Sequence, residues 1–216
     1  MKRVLAALAL CSVMAGSVVW AEAGKAPAKT ASVEAERRYF TEDVAAPMVK
    51  PPHYDVTIVE YMDYQCPYCR ASHGPLKQLL AKDHKVRVIF RDWPIFGPAS
   101  QAAALAAIGS KYQGKYVAMH DALMETPLPL NDDKIKAAAK TAGVDWARLQ
   151  KDKVAHAEEI EDLFQRNDKQ AQLLGLEGTP GFIIGSVQSF GGMDLAKFQK
   201  AVARARQETT KTKKKS

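Results

Sequence analysis

Only three of the 216 residues are cysteine. That is too few for a dense disulfide scaffold, and the spacing of Cys11, Cys66 and Cys69 lacks the two Cys/His pairs of a zinc finger. Long apolar runs are scarce as well. None after Trp20 approaches a bilayer span and the mean hydropathy is −0.25, which excludes a multi-pass membrane protein. Histidines are few and scattered: His53, His73, His84 and His156 form no metal-ligand spacing. His120 lies on the apolar stripe of a helix, the place of a packed core histidine, so no metal is expected. No internal repeat is present. The net charge of +7 sits mainly at the ends. Lys2 and Arg3 open the chain, and Lys211, Lys213, Lys214 and Lys215 close it. Setting aside residues 1–23 and those four lysines leaves +2, so there is no basic face for nucleic acid. What remains is the balance of an ordinary globular protein, 47% hydrophobic and 25% charged. Its length suits one domain, or one domain with an insertion.

The first residues carry an export pattern. Lys2 and Arg3 precede Val4–Ala21, which holds no charge, and Ala21-Glu22-Ala23 fits the small-x-small rule of a signal peptidase site. Val19-Trp20-Ala21 is a second candidate site, and an uncleaved anchor is the alternative reading. Cys11 follows Leu10, a poor lipoprotein site. Cleavage sends the mature chain to a periplasmic compartment that permits disulfides, with Cys66 and Cys69 as its only cysteines.

Residues 24–52 are rich in Ala, Lys, Glu and Pro and read as a flexible extension. Tyr54–Tyr61 is β-branched and apolar, a buried strand. Cys66–Lys82 has helical spacing at Cys69, Leu76, Leu79 and Leu80, with Pro75 placed to kink it. Val86–Arg91 alternates Val86, Val88 and Phe90 as a second strand. Strand, helix, strand is a βαβ unit with a parallel pair. Between Pro98 and Gly175 the period becomes 3.6 and predicts five helices. Asn131 and Asp145 are candidate N-caps, with Gly143 and Gly175 just past helix ends. Phe182–Ile184 and Val187–Phe190 flank the Gly185-Ser186 turn of a hairpin. A last helix starts at Asp194. The fold class is therefore α/β, with a helical block interrupting an α/β domain.

Cys66-Pro67-Tyr68-Cys69 follows a strand and opens a helix inside that βαβ unit, the context that makes C-x-x-C a redox motif. The helix N-terminus stabilises a thiolate on Cys66. Cys69, one turn in and more buried, resolves a mixed disulfide formed on Cys66. Pro67 occupies the first helical position, where its missing N–H is harmless. Pro67 and Tyr68 tune the pair. A static bridge over so short a loop would remove little chain entropy, and zinc would need two further ligands.

The stretch from Ile58 to Cys69 (IVEYMDYQCPYC) and the downstream Thr179-Pro180-Gly181-Phe182 resemble the active-site segment and cis-proline loop of DsbA-family thiol:disulfide oxidoreductases. CPYC with Thr before the proline is similar to the suppressor-of-copper-sensitivity and DsbG-like members. The resemblance covers roughly residues 54–207. It implies a thioredoxin-like fold interrupted by an all-helical insertion. The corresponding divisions are signal peptide 1–23, flexible N-terminal extension 24–52, thioredoxin-like part 53–97, helical insertion 98–175, second thioredoxin-like part 176–208 and Lys-rich tail 209–216. It also implies that Glu60 is a buried acid assisting proton transfer at Cys69, and that Thr179 and Pro180 hold the substrate backbone. The expected activity is disulfide exchange with cysteine-containing exported proteins. No cofactor is required, because the electrons reside in the cysteines. A membrane protein of the DsbB or DsbD kind is the expected redox partner; oligomeric state is left open. Two rivals remain: net disulfide reduction or isomerisation, and a Cu(I)-binding protective protein using the same soft thiolates.

Overall fold

The computed structural model describes residues 37–213, with side chains through Lys211. The expected signal peptide (1–23), residues 24–36 of the expected extension and the closing residues 214–216 lie outside the described residues. Among the described residues, five strands form one sheet in the order β1-β3-β2-β4-β5. They are β1 (Met48–Val49), β2 (Val56–Met62), β3 (Val86–Asp92), β4 (Gly181–Ile184) and β5 (Val187–Phe190). Helix α1 (Pro67–Lys82) joins β2 to β3, which pair in parallel from Val56↔Val86 to Met62↔Asp92. Every other pairing is antiparallel. Between β3 and β4 stand α2 (Pro98–Ser110), α3 (Tyr116–Glu125), α4 (Asp132–Thr141), α5 (Trp146–Ala155) and α6 (Ala157–Leu173). Helix α7 (Leu195–Lys213) closes the fold. The mixed sheet is interrupted by helices between β3 and β4, as the resemblance implied.

Local chemistry explains most of these boundaries. The Asn131 and Asp145 side chains accept from the N–H groups of Lys134 and Arg148, so both predicted caps form. Gly185 turns the β4–β5 hairpin at φ +60, where a Cβ would also come within 2.6 Å of Ala205 Cβ. Both reasons favour glycine there. Helix α1 is continuous through Pro75 to Lys82. Helix α7 packs on α1 and on β2, β4 and β5, and Phe198 meets Phe182 edge-on at 5.1 Å. Helix α6 lies against β3.

Two expectations change. The extension predicted over 24–52 is tied down from Asp43 onward: Ala46 is buried, and Met48–Val49 pair with Val88–Ile89. An alanine- and proline-rich composition hides this, because the anchor is one carboxylate, Asp43, shared by Arg91 and Arg166. Arg91, fully buried on β3, donates to Asp43 Oδ2 at 2.6 Å and to the Phe40 carbonyl at 2.9 Å. A buried guanidinium needs such partners. The Lys-rich tail predicted from residue 209 is helical as far as Lys213. Its four-residue side-chain contacts, Thr209 to the Ala205 carbonyl and Thr210 to the Arg206 carbonyl, follow the helix period.

Candidate active site

Strand β2 sits between β3 and β4 and delivers the chain to α1 through Asp63-Tyr64-Gln65. Asp63 organises this exit. Its Oδ1 accepts from the Gln65 N–H (2.7 Å) and the Ser100 hydroxyl (2.6 Å), and its Oδ2 from the Ile95 and Phe96 N–H groups (2.7 and 3.0 Å). One buried carboxylate thus staples the end of β2 to the loop after β3 and to the start of α2. The Asp63 carbonyl accepts from the Cys66 N–H at 3.1 Å, and the Asp63 N–H points at Cys69 Sγ at 3.5 Å.

Cys66 is the N-cap of α1 with an extended backbone, and Pro67 follows at the first helical position. Both cysteines are thiols with almost no solvent contact, Cys66 at 1% and Cys69 at 0%. The contrast in burial is therefore slight, and hydrogen bonding distinguishes the two sulfurs. The Cys69 thiol donates to Cys66, and this is the main reason the Cys66 pKa falls to about 6. The Thr179 side chain and the backbone N–H groups of Cys69 and Tyr68 add to it, against an opposing effect of burial. Burial and the same donation to Cys66 hold Cys69 far above the usual thiol range. Cys66 and Cys69 thus differ in charge at neutral pH.

The Thr179–Pro180 peptide is cis. The Cys66 thiol donates to the Thr179 carbonyl at 3.1 Å, linking positions 113 residues apart. Thr179 Oγ1 is buried without a hydrogen-bond partner among the described residues, so it is free to donate to the Cys66 sulfur once that sulfur is charged. The loop is held from behind: the Pro180 carbonyl accepts from the Gly191 N–H, and the Ser72 hydroxyl accepts from the Met193 N–H. Thr179 and Pro180 line a cavity of about 430 Å³ with Phe190 and Gly191. Tyr68 stands beside the cysteines, 66% exposed.

Glu60 is 2% exposed on β2, opposite Phe90 and Phe182. Burial, with the nearby Asp92 carboxylate second, pushes its pKa up to about 8. Asp92 itself rises to about 7 through burial, against the hydrogen bonds of Tyr116 and Tyr64. Strand β2 is buried as its apolar, β-branched run implied, and only Thr57 is more than marginally exposed. Helices cover both sides of a central parallel strand.

Three contributors escape the sequence reading: Asp63, Arg70 and Gln65. Arg70 donates to the carbonyls of Tyr64, Leu123 and Thr126, clamping α1 to the end of α3. Gln65 Oε1 accepts from the Leu130 N–H at 2.8 Å. Asp63 left one legible signal, an acidic residue two before Gln65 at a strand end, as in an Asx-turn.

A dithiol at a helix start, facing a cis-proline loop in an interrupted thioredoxin-type sheet, defines a thiol:disulfide oxidoreductase. Residues 57–203 match the DSBA-like thioredoxin domain, and the chain belongs to that family. A thioredoxin-like oxidoreductase from Silicibacter pomeroyi DSS-3 is 37% identical with a TM-score of 0.75, over 79% of this chain and 98% of that one. The thiol-disulfide exchange protein α-DsbA2 from Wolbachia pipientis is 28% identical with a TM-score of 0.75, over 81% and 94%. A periplasmic thioredoxin-like protein from Salmonella enterica serovar Typhimurium is 27% identical with a TM-score of 0.69, over 79% and 95%. Among curated relatives the first matches are Na(+)/H(+) antiporters, and the chain spans 24% of the length of the Salinispora tropica protein at 29% identity.

Proposed function

We propose that the protein exchanges disulfides with cysteine-containing proteins in the periplasm, using Cys66 as nucleophile and Cys69 as resolving thiol. The observation that carries this reading is the convergence of Cys66 Sγ, the Cys69 thiol and the Thr179 carbonyl at the N-terminus of α1. A Cys66 thiolate attacks one sulfur of a client disulfide, and the other client sulfur leaves as a thiolate. Cys69 then attacks the Cys66–client bond, releasing the client dithiol and closing Cys66–Cys69. Oxidation of a client runs the same steps backwards.

Pro67 fixes the helix start, and Tyr68 presents an apolar, exposed flank to the client. Thr179 and Pro180 offer backbone to an extended client segment. We assign to Glu60, which carries a proton near neutral pH, the exchange of that proton with Cys69; its burial and raised pKa support this. The electrons reside in the two sulfurs, so the exchange needs no cofactor. Residues 1–23 support export, and no helix among the described residues is long and apolar enough to cross a membrane. A membrane redox protein of the DsbB or DsbD kind would reset the pair.

The test is trapping in the intact cell. Cys69→Ser should accumulate mixed disulfides with exported proteins on a non-reducing gel after acid quench, and Cys66→Ser almost none. Equal trapping by both variants overturns the assignment. The redox state of the wild-type pair in the same samples gives the direction: oxidised for a net oxidase, reduced for a reductase or isomerase.

A further inference from the structure

Away from the dithiol, α1 and α3 bring together three groups that the disulfide chemistry leaves unused. His73 lies one turn beyond Cys69 on α1; His120 and Asp121 lie on α3. One ligand atom from each falls within 4.8 Å of the others. His73 Nε2 is 3.3 Å from Asp121 Oδ1, yet it is buried and makes no hydrogen bond among the described residues. His120 Nδ1 is 3.1 Å from the Tyr64 hydroxyl, which leaves its other ring nitrogen unclaimed by that contact.

We propose that His73, His120 and Asp121 form a binding site for a divalent transition ion such as Zn²⁺, bridging the active-site helix and the helical insertion. Two imidazoles and a carboxylate are a donor set that borderline ions accept, with a fourth position left for water. Metal–ligand lengths of about 2.0–2.1 Å place tetrahedral ligands about 3.3 Å apart. The His73–Asp121 pair already has that separation at 3.3 Å. Side-chain rotation brings in the third ligand. Tyr64 supplies the outer contact that orients a metal-bound histidine, with Nδ1–H donating to its oxygen. Burial keeps both rings in the neutral form that ligates. Asp121, 30% exposed, is the entry side. Lys77 Nζ now occupies that side, 3.0 Å from Asp121 Oδ2 and 3.2 Å from Glu125 Oε1. Its side chain is 46% exposed and can swing away to Glu125 as the ion arrives.

The experiment uses the full oxidised protein, whose closed Cys66–Cys69 bond offers no thiolate. Co²⁺ titration should give one equivalent bound with tetrahedral visible bands, no sulfur charge-transfer band, and displacement by Zn²⁺. Asp121→Asn and His73→Gln should each weaken binding by about tenfold or more. Zn²⁺ should raise the melting temperature of the wild type but not of Asp121→Asn. Asp121 is partly exposed, so its variant remains decisive if His73→Gln folds poorly. Absence of a one-to-one Co²⁺ spectrum, or equal affinity in wild type and Asp121→Asn, overturns the site. Disulfide exchange is measured separately on the same variants, so loss of the ion and loss of redox activity are distinct results.

Discussion

The reduction potential of the Cys66–Cys69 pair should change its pH slope near pH 6. The Cys66 thiol titrates at about 6, against 9.0 for an unperturbed thiol, while Cys69 stays protonated far above neutrality. Below pH 6 each two-electron reduction takes up two protons; above it, only one. Each proton is worth about 30 mV per pH unit for this couple. The slope should therefore be about 60 mV per unit on the acid side and about 30 mV per unit between pH 6 and 8. The sign follows from the depressed value. Thiolate stabilisation favours the reduced fold fully above pH 9 and is lost as pH falls through 6. At full strength the three-unit depression amounts to about 4 kcal/mol, or about 90 mV; at pH 7 about a third of it is expressed. Glutathione equilibration across pH 5–8 reads the slope, and thiolate absorbance near about 240 nm reads the pKa. Cys69→Ala removes the largest cause, so Cys66 should then titrate about a unit or more higher. A constant slope of about 60 mV per unit, or a wild-type Cys66 titrating near about 8.5, would refute the reasoning.

Tyr68→His should raise the reduction potential by about 30 mV or more, because an imidazolium beside Cys66 favours its thiolate; an unchanged or lower potential would move the control of poise to Thr179. Glu60→Gln should flatten the pH dependence of stability. Its raised pKa makes the native protein lose stability as pH climbs from about 4.5 to about 8. Urea midpoints across that window check it, and an unaltered slope in the variant argues against a buried proton. Asp43→Ala should cost about 3–5 kcal/mol in urea unfolding by leaving the Arg91 cation buried without its carboxylate. A loss below about 1 kcal/mol would mean the pair behaves like a surface bridge.

Local signals carried far in this chain. The switch from period two to period 3.6 marked five helices between β3 and β4, and Asn131, Asp145 and Gly185 stand where cap and turn chemistry put them. C-x-x-C after a strand placed the dithiol at a helix start. What periodicity missed was the far face of each central element. Val86, Val88 and Phe90 announced a strand with one buried face, but Arg87 and Arg91 on its other face are buried too. Nothing local says that Asp43, 48 residues upstream, will return to neutralise Arg91.

The same limit applies to three buried carboxylates of β2 and β3 and the turn after β2. In sequence, Glu60, Asp63 and Asp92 are alike: carboxylates at or just after strands. The fold separates them by the donors it brings to each. Asp63 meets four, from the Gln65, Ile95 and Phe96 backbone and the Ser100 hydroxyl, and holds the loop geometry. On Asp92, Oδ2 accepts from the Tyr116 hydroxyl at 2.7 Å, while Oδ1 lacks a hydrogen-bond partner among the described residues. Glu60 is pressed between Phe90 and Phe182 and lies near that same Asp92. The donors around Asp63 make it a structural staple; an acid with few donors in an apolar setting, such as Glu60, holds its proton to higher pH. Ser100 lies 37 residues from Asp63, so this sorting arises only in the packed molecule. It leaves Glu60 with the raised pKa on which the proposed proton exchange with Cys69 rests, while Asp63 makes the backbone contact to that sulfur.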